Sequence, residues 1–127
     1  MNPETNTANQ EQEARDRLAA RLEDLWREMA EVEIAAPVPK AVEYGQQSLV
    51  DLGAVLRRHS GQDPKNTTDA DLMEEAIWFY LNGKIQRWND AAHGGRVVSE
   101  DTIFDIIIYA RMALTIRRTG TWVGDTK

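Results

Sequence analysis

Asp105 is the side chain whose surroundings demand a chemical explanation. It stands in Ile103-Phe104-Asp105-Ile106-Ile107-Ile108, the most apolar stretch of the chain. A carboxylate buried there alone would cost several kcal/mol, so it requires a cation, a metal or strong hydrogen-bond donors. Asp101 lies four residues earlier and Tyr109 four later. In a helix all three share one face. Two carboxylates at that spacing repel unless positive charge sits between them. Hard divalent cations prefer carboxylate oxygen and water, which makes Asp101 and Asp105 candidate ligands for Mg²⁺ or Mn²⁺. The alternative leaves Asp101 as a charge at a helix N-terminus and pairs Asp105 with an Arg or Lys.

A basic pair precedes them. Lys84 and Arg87 lie three apart, on one helical face with Tyr80. They suit phosphate oxygens, the arginine in bidentate fashion. The same geometry would serve an ion-pair network with Asp101 and Asp105. Further carboxylates available to a metal shell are Glu75, beside Glu74, and Glu43, which heads a Glu43-Gln47-Asp51 polar stripe; the alternative is a solvated helix face. Trp78, Trp88 and Trp122 read as core or interface residues rather than base-stacking platforms. His59, beside Arg57 and Arg58, reads as positive charge at a helix C-terminus. Nothing resembles a Ser/His/Asp triad, a Gly-rich phosphate loop or a His-rich zinc site.

The elements that position these residues are all helical. Leu18, Leu22, Leu25, Met29 and Val32 recur at intervals of 4, 3, 4 and 3, which predicts an amphipathic helix over about 10–34. Its stripe packs on its own bundle or forms a short coiled-coil seam. The Pro37-Val38-Pro39 segment predicts a break with extended backbone. A second helix is expected over 40–59, with Gly45 and Gly53 near its apolar face. These either interrupt it after Tyr44 or permit close backbone approach. A third runs over 68–92 from a threonine cap, with an apolar face wide enough for a helix largely surrounded by others. A fourth runs over 99–118 from Ser99, with Arg117 and Arg118 in its last turn and Gly120 as its stop. Residues 1–9 are expected to be disordered, 10–120 to form a single domain, and 121–127 to be a C-terminal tail.

Composition narrows the function. The chain has 127 residues, no cysteine and a formal net charge of −6. Length fits one domain, and the missing cysteine removes disulfides, zinc–thiolate sites and thiol nucleophiles. An acidic chain gains little from counterion release, so duplex nucleic acid is not an expected partner. A phosphorylated small molecule remains in play because a metal ion reverses the local field. Residues 1–16 carry no apolar signal-like run, and no stretch is long enough to span a bilayer. The expectation is a cytoplasmic protein with no membrane partner. Its tryptophans and amphipathic first helix leave apolar area for a homo-oligomer to cover.

Three segments carry a family resemblance. Lys40-Ala-Val-Glu-Tyr-Gly-Gln-Gln-Ser-Leu-Val-Asp-Leu-Gly53 contains an acidic-Tyr-Gly element, Glu43-Tyr44-Gly45. Leu81-Asn-Gly-Lys-Ile-Gln-Arg-Trp88 contains Lys-x-x-Arg. Glu100-Asp-Thr-Ile-Phe-Asp-Ile-Ile-Ile-Tyr109, continuing to Leu114, contains Asp-Thr-x-x-Asp-x-x-x-Tyr, at Asp101, Thr102, Asp105 and Tyr109. Together they resemble the nucleotide modification associated domain type 1 family, often found in phage genomes and similar to the all-α NTP pyrophosphohydrolases of the MazG-like superfamily. The resemblance covers about residues 38–118. It implies an all-α, four-helix core, carboxylate-bound Mg²⁺, and hydrolysis between the α- and β-phosphates of a nucleoside triphosphate. A phage origin would make the host cytoplasm its location. Two departures stand: Asp71, Glu74 and Glu75 only approximate the superfamily's Glu-Glu-x-x-Glu, and Val97 stands where the family tends to carry an acid.

Three functions follow as expectations. The first is a Mg²⁺-dependent pyrophosphohydrolase-like protein in which Asp101 and Asp105, with Glu75 or Glu43, hold the metal. Lys84 and Arg87 would bind phosphates while Tyr44 and Tyr109 orient the ligand. The second is a relative that binds a nucleotide or nucleotide-derived signal without cleaving it. The third is a helical interaction protein whose acids and bases form only a structural network.

Overall fold

The computed structural model describes residues 3–122, with side chains from Thr5 onward. These residues form five α-helices, one 3-10 turn and no strand. The chain divides into two compact units, Met1–Ala36 and Pro37–Lys127, where the sequence predicts one domain.

The first unit is a single helix, α1 (Pro3–Ala35). It begins inside the stretch expected to be disordered. A polar sequence supplies no packing there, but it sets no backbone obstacle either. Once the helix is nucleated downstream, each added turn costs little. Pro3 at the start suits a helix whose first N–H groups have no internal acceptor.

In the second unit the proline segment ends α1 as expected, yet its backbone is not extended. Pro37 sits in the right-handed helical region, at φ −87° and ψ −20°, and opens a short helix, α2 (Val38–Ala41). A proline ring fixes φ near the helical value, so it starts a first turn as readily as it stops a last one. The chain then turns through residues 42–45. Gly45 is extended at φ −78° and ψ 146°, and α3 (Gln46–His59) begins after it.

A 3-10 turn over Pro64–Asn66 follows, with the Lys65 N–H donating to the Asp63 carboxylate at 2.9 Å. α4 (Asp69–His93) starts from Thr68, whose hydroxyl oxygen accepts the Asp71 N–H at 3.2 Å. α5 (Glu100–Thr119) starts from Ser99, whose hydroxyl accepts the Thr102 N–H at 3.2 Å. It ends at Gly120, at φ +77°, the left-handed conformation that glycine adopts without steric cost. These ends fall within one or two residues of the expected ones, because each is set locally, the two starts by a capping hydroxyl and the stop of α5 by a left-handed glycine, rather than by distant contacts.

α4 is the middle helix, packed between α3 and α5. The core gathers Leu49, Met73, Ala76, Ile77, Met112, Ile116 and Trp122. Burial is concentrated in the first half of α4, at Leu72, Met73, Ala76 and Ile77. Phe79, Ile85 and Trp88 are exposed. The wide apolar face therefore does not mark a helix surrounded along its length. Trp78 and Trp88 are exposed as well, unlike the core tryptophan at 122.

Trp122 also corrects the expected tail. It is buried, and its indole N–H donates to the Tyr44 carbonyl at 2.7 Å. Its backbone N–H donates to the Gln46 side-chain oxygen at 3.0 Å. The remainder of that tail, 123–127, lies outside the described residues. Trp122→Phe keeps an aromatic ring but orphans the Tyr44 carbonyl. It is expected to lower stability by about 1–2 kcal/mol in urea titration.

Candidate functional site

Lys84 and Asp105 meet across the α4–α5 interface. The Lys84 ammonium lies 3.0 Å from the Asp105 carboxylate, with 20 % of the lysine side chain and 41 % of the aspartate side chain exposed. Asp105 is thus half-buried, and the cation compensating it is a lysine. That pairing is one half of the network read from the sequence. Arg87 and Asp101 are exposed, and neither holds an ion pair among the described residues.

One turn along, three tyrosines converge from three parts of the chain. Tyr44 comes from the turn before α3, Tyr80 from α4 and Tyr109 from α5. Tyr80 and Tyr109 stack at 5.7 Å between ring centroids with an interplanar angle of 11°. Tyr44 meets Tyr80 edge-on at 5.5 Å and Tyr109 at 6.0 Å. The hydroxyls of Tyr44 and Tyr109 are hydrogen-bonded at 2.8 Å. Because α4 and α5 run antiparallel here, successive turns make rungs: Tyr80 with Tyr109, then Lys84 with Asp105. The same register sets Trp88, rather than Arg87, across from Asp101. Tyr80 is the member that the sequence reading left out of the site. Its signal was its position four residues before Lys84, matching Tyr109 four after Asp105.

Burial raises the Tyr109 phenol well above the ordinary tyrosine range. The hydrogen bond to Tyr44 and the charges of Tyr44, Asp105 and Tyr80 push the same way. An unfolded tyrosine ionises near pH 10. The folded state therefore holds its proton where the unfolded state has lost it. The stability linked to Tyr109 is fully present below about pH 10 and is lost as pH climbs from there toward the folded value. Thermal melts at increasing alkaline pH are expected to show this decline, and Tyr109→Phe to flatten it.

The remaining candidates lie elsewhere. Glu75 is nine residues before Lys84 on α4, about 13 Å down the helix axis at 1.5 Å per residue. The Arg57 Nε donates to it from α3 at 2.6 Å. Its neighbour Glu74 is held from α5 by Arg117, in a two-point contact whose Nε bond is 3.2 Å. These cross-helix clips were missed because Arg57 and Arg117 also suit their helix C-termini. With Asp71 and Trp78 the four line a cleft of about 310 Å³. Glu43 is exposed in the turn before α3, so the expected stripe is broken there; the Gln47 amide donates to Asp51 at 2.8 Å. Among the described residues, no three acidic, His or Cys side chains cluster closely enough to hold one metal ion. Glu75 and Glu43 are not brought to Asp101 and Asp105.

The arrangement can do two things chemically. It presents a lysine ammonium and two carboxylates on one face, and it places them beside an aromatic cluster. No helix among the described residues is long and apolar enough to cross a membrane. Compared with family models, curated proteins and solved structures, the chain matches none.

Proposed function

We propose that the α4–α5 face around Lys84 and Asp105 binds a nucleotide or related phosphorylated small molecule together with Mg²⁺ or Mn²⁺. In this reading the helical core is of the MazG-like, all-α NTP pyrophosphohydrolase type. The observation that carries it is the Lys84–Asp105 contact: single, to an ammonium, and open to solvent on its aspartate side. The pair is partly shielded, and desolvation offsets much of its Coulombic attraction, so a ligand that rearranges it has little net stabilisation to overcome. A phosphate oxygen draws the flexible lysine stem and releases the carboxylate to a cation.

Asp101 and Asp105 fit such a cation. Mg²⁺ commonly binds through one or two carboxylates, with water and substrate phosphate filling the other positions. When bound, it would neutralise phosphate charge and polarise the phosphoryl group. Lys84 would take a phosphate oxygen, and Arg87, exposed on the next turn, a second. Tyr44, Tyr80 and Tyr109 fix the two helices against each other. Two carboxylates suffice for binding. The hydrolytic version, cleavage between the α- and β-phosphates, calls for a fuller acidic set than this face carries. The non-cleaving version therefore rests on fewer additions.

Calorimetry with a panel of NTPs and dNTPs, with and without Mg²⁺ or Mn²⁺, tests the proposal. Chromatography of the same mixtures reads for nucleoside monophosphate and pyrophosphate. Metal-dependent heat without product supports binding alone, and product extends the function to hydrolysis. The absence of both across the panel, with inorganic phosphate and pyrophosphate included, leaves only an ion-pair network.

A further inference from the structure

α1 carries an apolar seam that its own unit, a single helix, has nothing to cover. Leu18, Leu22, Leu25, Trp26, Met29 and Val32 are all exposed, Trp26 by 63 % and Val32 by 67 %. Five of them repeat at 3–4 residue intervals, with Leu22 and Met29 at the first core position of a heptad and Leu18, Leu25 and Val32 at the second. From Leu18 to Val32 the seam is about 21 Å long at 1.5 Å per residue.

The residues flanking this seam identify what fits it. We infer that α1 pairs antiparallel with α1 of a second copy of this chain, with Leu22 opposite the partner's Leu25 and Leu18 opposite the partner's Met29. In that register Arg21 faces the partner's Glu28, and Glu28 faces the partner's Arg21, so the two ion pairs close symmetrically. On the other flank Trp26 lies over the partner's Ala19, a large residue over a small one, twice. Val32 meets the aliphatic stem of the partner's Arg15, which keeps its charge in water.

The parallel alternative is poorer on both flanks. It sets Glu28 against the partner's Glu33, a like-charge contact on each side of the dimer. It also leaves Ala19 facing the partner's Ala14. The local ion pair of α1 lies off the seam and competes with neither flank. Arg27 binds Glu23 at 2.5 Å on the outer face, away from the seam. Arg21 and Glu28, which border the seam, hold no ion partner among the described residues. The self-complementary patch is the isologous arrangement that a two-fold dimer requires.

Sedimentation equilibrium of the full chain over micromolar to millimolar concentrations tests this. The expected result is reversible association to twice the 14.4 kDa chain mass. Arg21→Glu alone is expected to weaken association at least tenfold by opposing Glu28, and Glu28→Arg alone to do the same by opposing Arg21. The double exchange R21E/E28R restores it, and mixing the two single variants restores it as a heterodimer. Both substituted positions lie on the helix surface, and circular dichroism checks that helix content is retained. A monomer at every concentration overturns the inference. A dimer indifferent to Arg21→Glu overturns it too, because a parallel seam or another surface would then hold the copies together.

Discussion

Gly53→Ala is expected to destabilise the second unit by about 3 kcal/mol or more, against the usual sign for glycine-to-alanine in a helix. A Cβ built at Gly53 would press into the Leu72 carbonyl oxygen and lie 2.8 Å from the Leu72 Cα. The obstacle is backbone, at the first turns of α4, so neither helix can yield without moving the core between them. Overpacking of that kind exceeds the roughly 1 kcal/mol that alanine normally adds to a helix. For a unit of this size the loss corresponds to a fall of roughly 12–24 °C in Tm. Gly83→Ala is the control. It is also inside a helix, α4, but an added Cβ there meets nothing within 4 Å. It should raise stability by about 0.5–1 kcal/mol. Equal melting temperatures for Gly53→Ala and the wild type would show that α3 and α4 do not approach as closely as described.

That close approach was half legible in the sequence. A glycine near an apolar helical face signals either a break or a contact, and here Gly45 is the break while Gly53 is the contact. Local signals told the two apart only once the neighbouring helix was placed. The same holds more widely. Ser99, Thr68 and Gly120 marked helix ends correctly because capping is a contest among a few adjacent atoms. Pro37 and Pro39 were misread because a proline sets φ and forbids one hydrogen bond, and both conditions are met equally by extended chain and by a first helical turn. Trp122 could not be placed from sequence: a lone aromatic after a helix stop docks only if a carbonyl and a cavity are waiting, and these come from Tyr44 and Gln46, over seventy positions earlier.

The site divides in the same way. Asp105 in an isoleucine run announced a compensating cation, and Lys84 supplies it. The spacing Lys84–Arg87 suggests a clamp; in the fold Lys84 turns toward α5 and pairs with Asp105, while Arg87 is exposed one turn on. Glu75 looked available as a metal ligand because a sequence does not show which arginine a neighbouring helix will bring. Arg57 occupies it.

Asp105→Asn is expected to separate ligand binding from folding. Losing a charged contact to a cation or to a charge-assisted network costs about 1.5–3 kcal/mol, a drop of roughly 10–100-fold in affinity for the metal–nucleotide complex. Stability should move by no more than about 1 kcal/mol, because the Asp105 side chain is partly exposed and the amide oxygen still offers the Lys84 ammonium an acceptor of the same shape. Lys84→Met should weaken nucleotide and inorganic phosphate binding while leaving metal-ion binding by Asp101 and Asp105 in place. A purely structural network predicts the reverse pattern: a stability change in both variants and no ligand response in either. Calorimetry and thermal melts on the same samples distinguish the two.

The most direct examination of the site is a crystal of the chain soaked with Mn²⁺ and a nucleoside triphosphate, read by anomalous scattering. The proposal requires a manganese peak at the Asp105 carboxylate, shared with Asp101, and the Lys84 ammonium moved onto a phosphate oxygen. A map with no peak on this face, and Lys84 still bound to Asp105, would contradict it and leave the pair as a fastening between two helices.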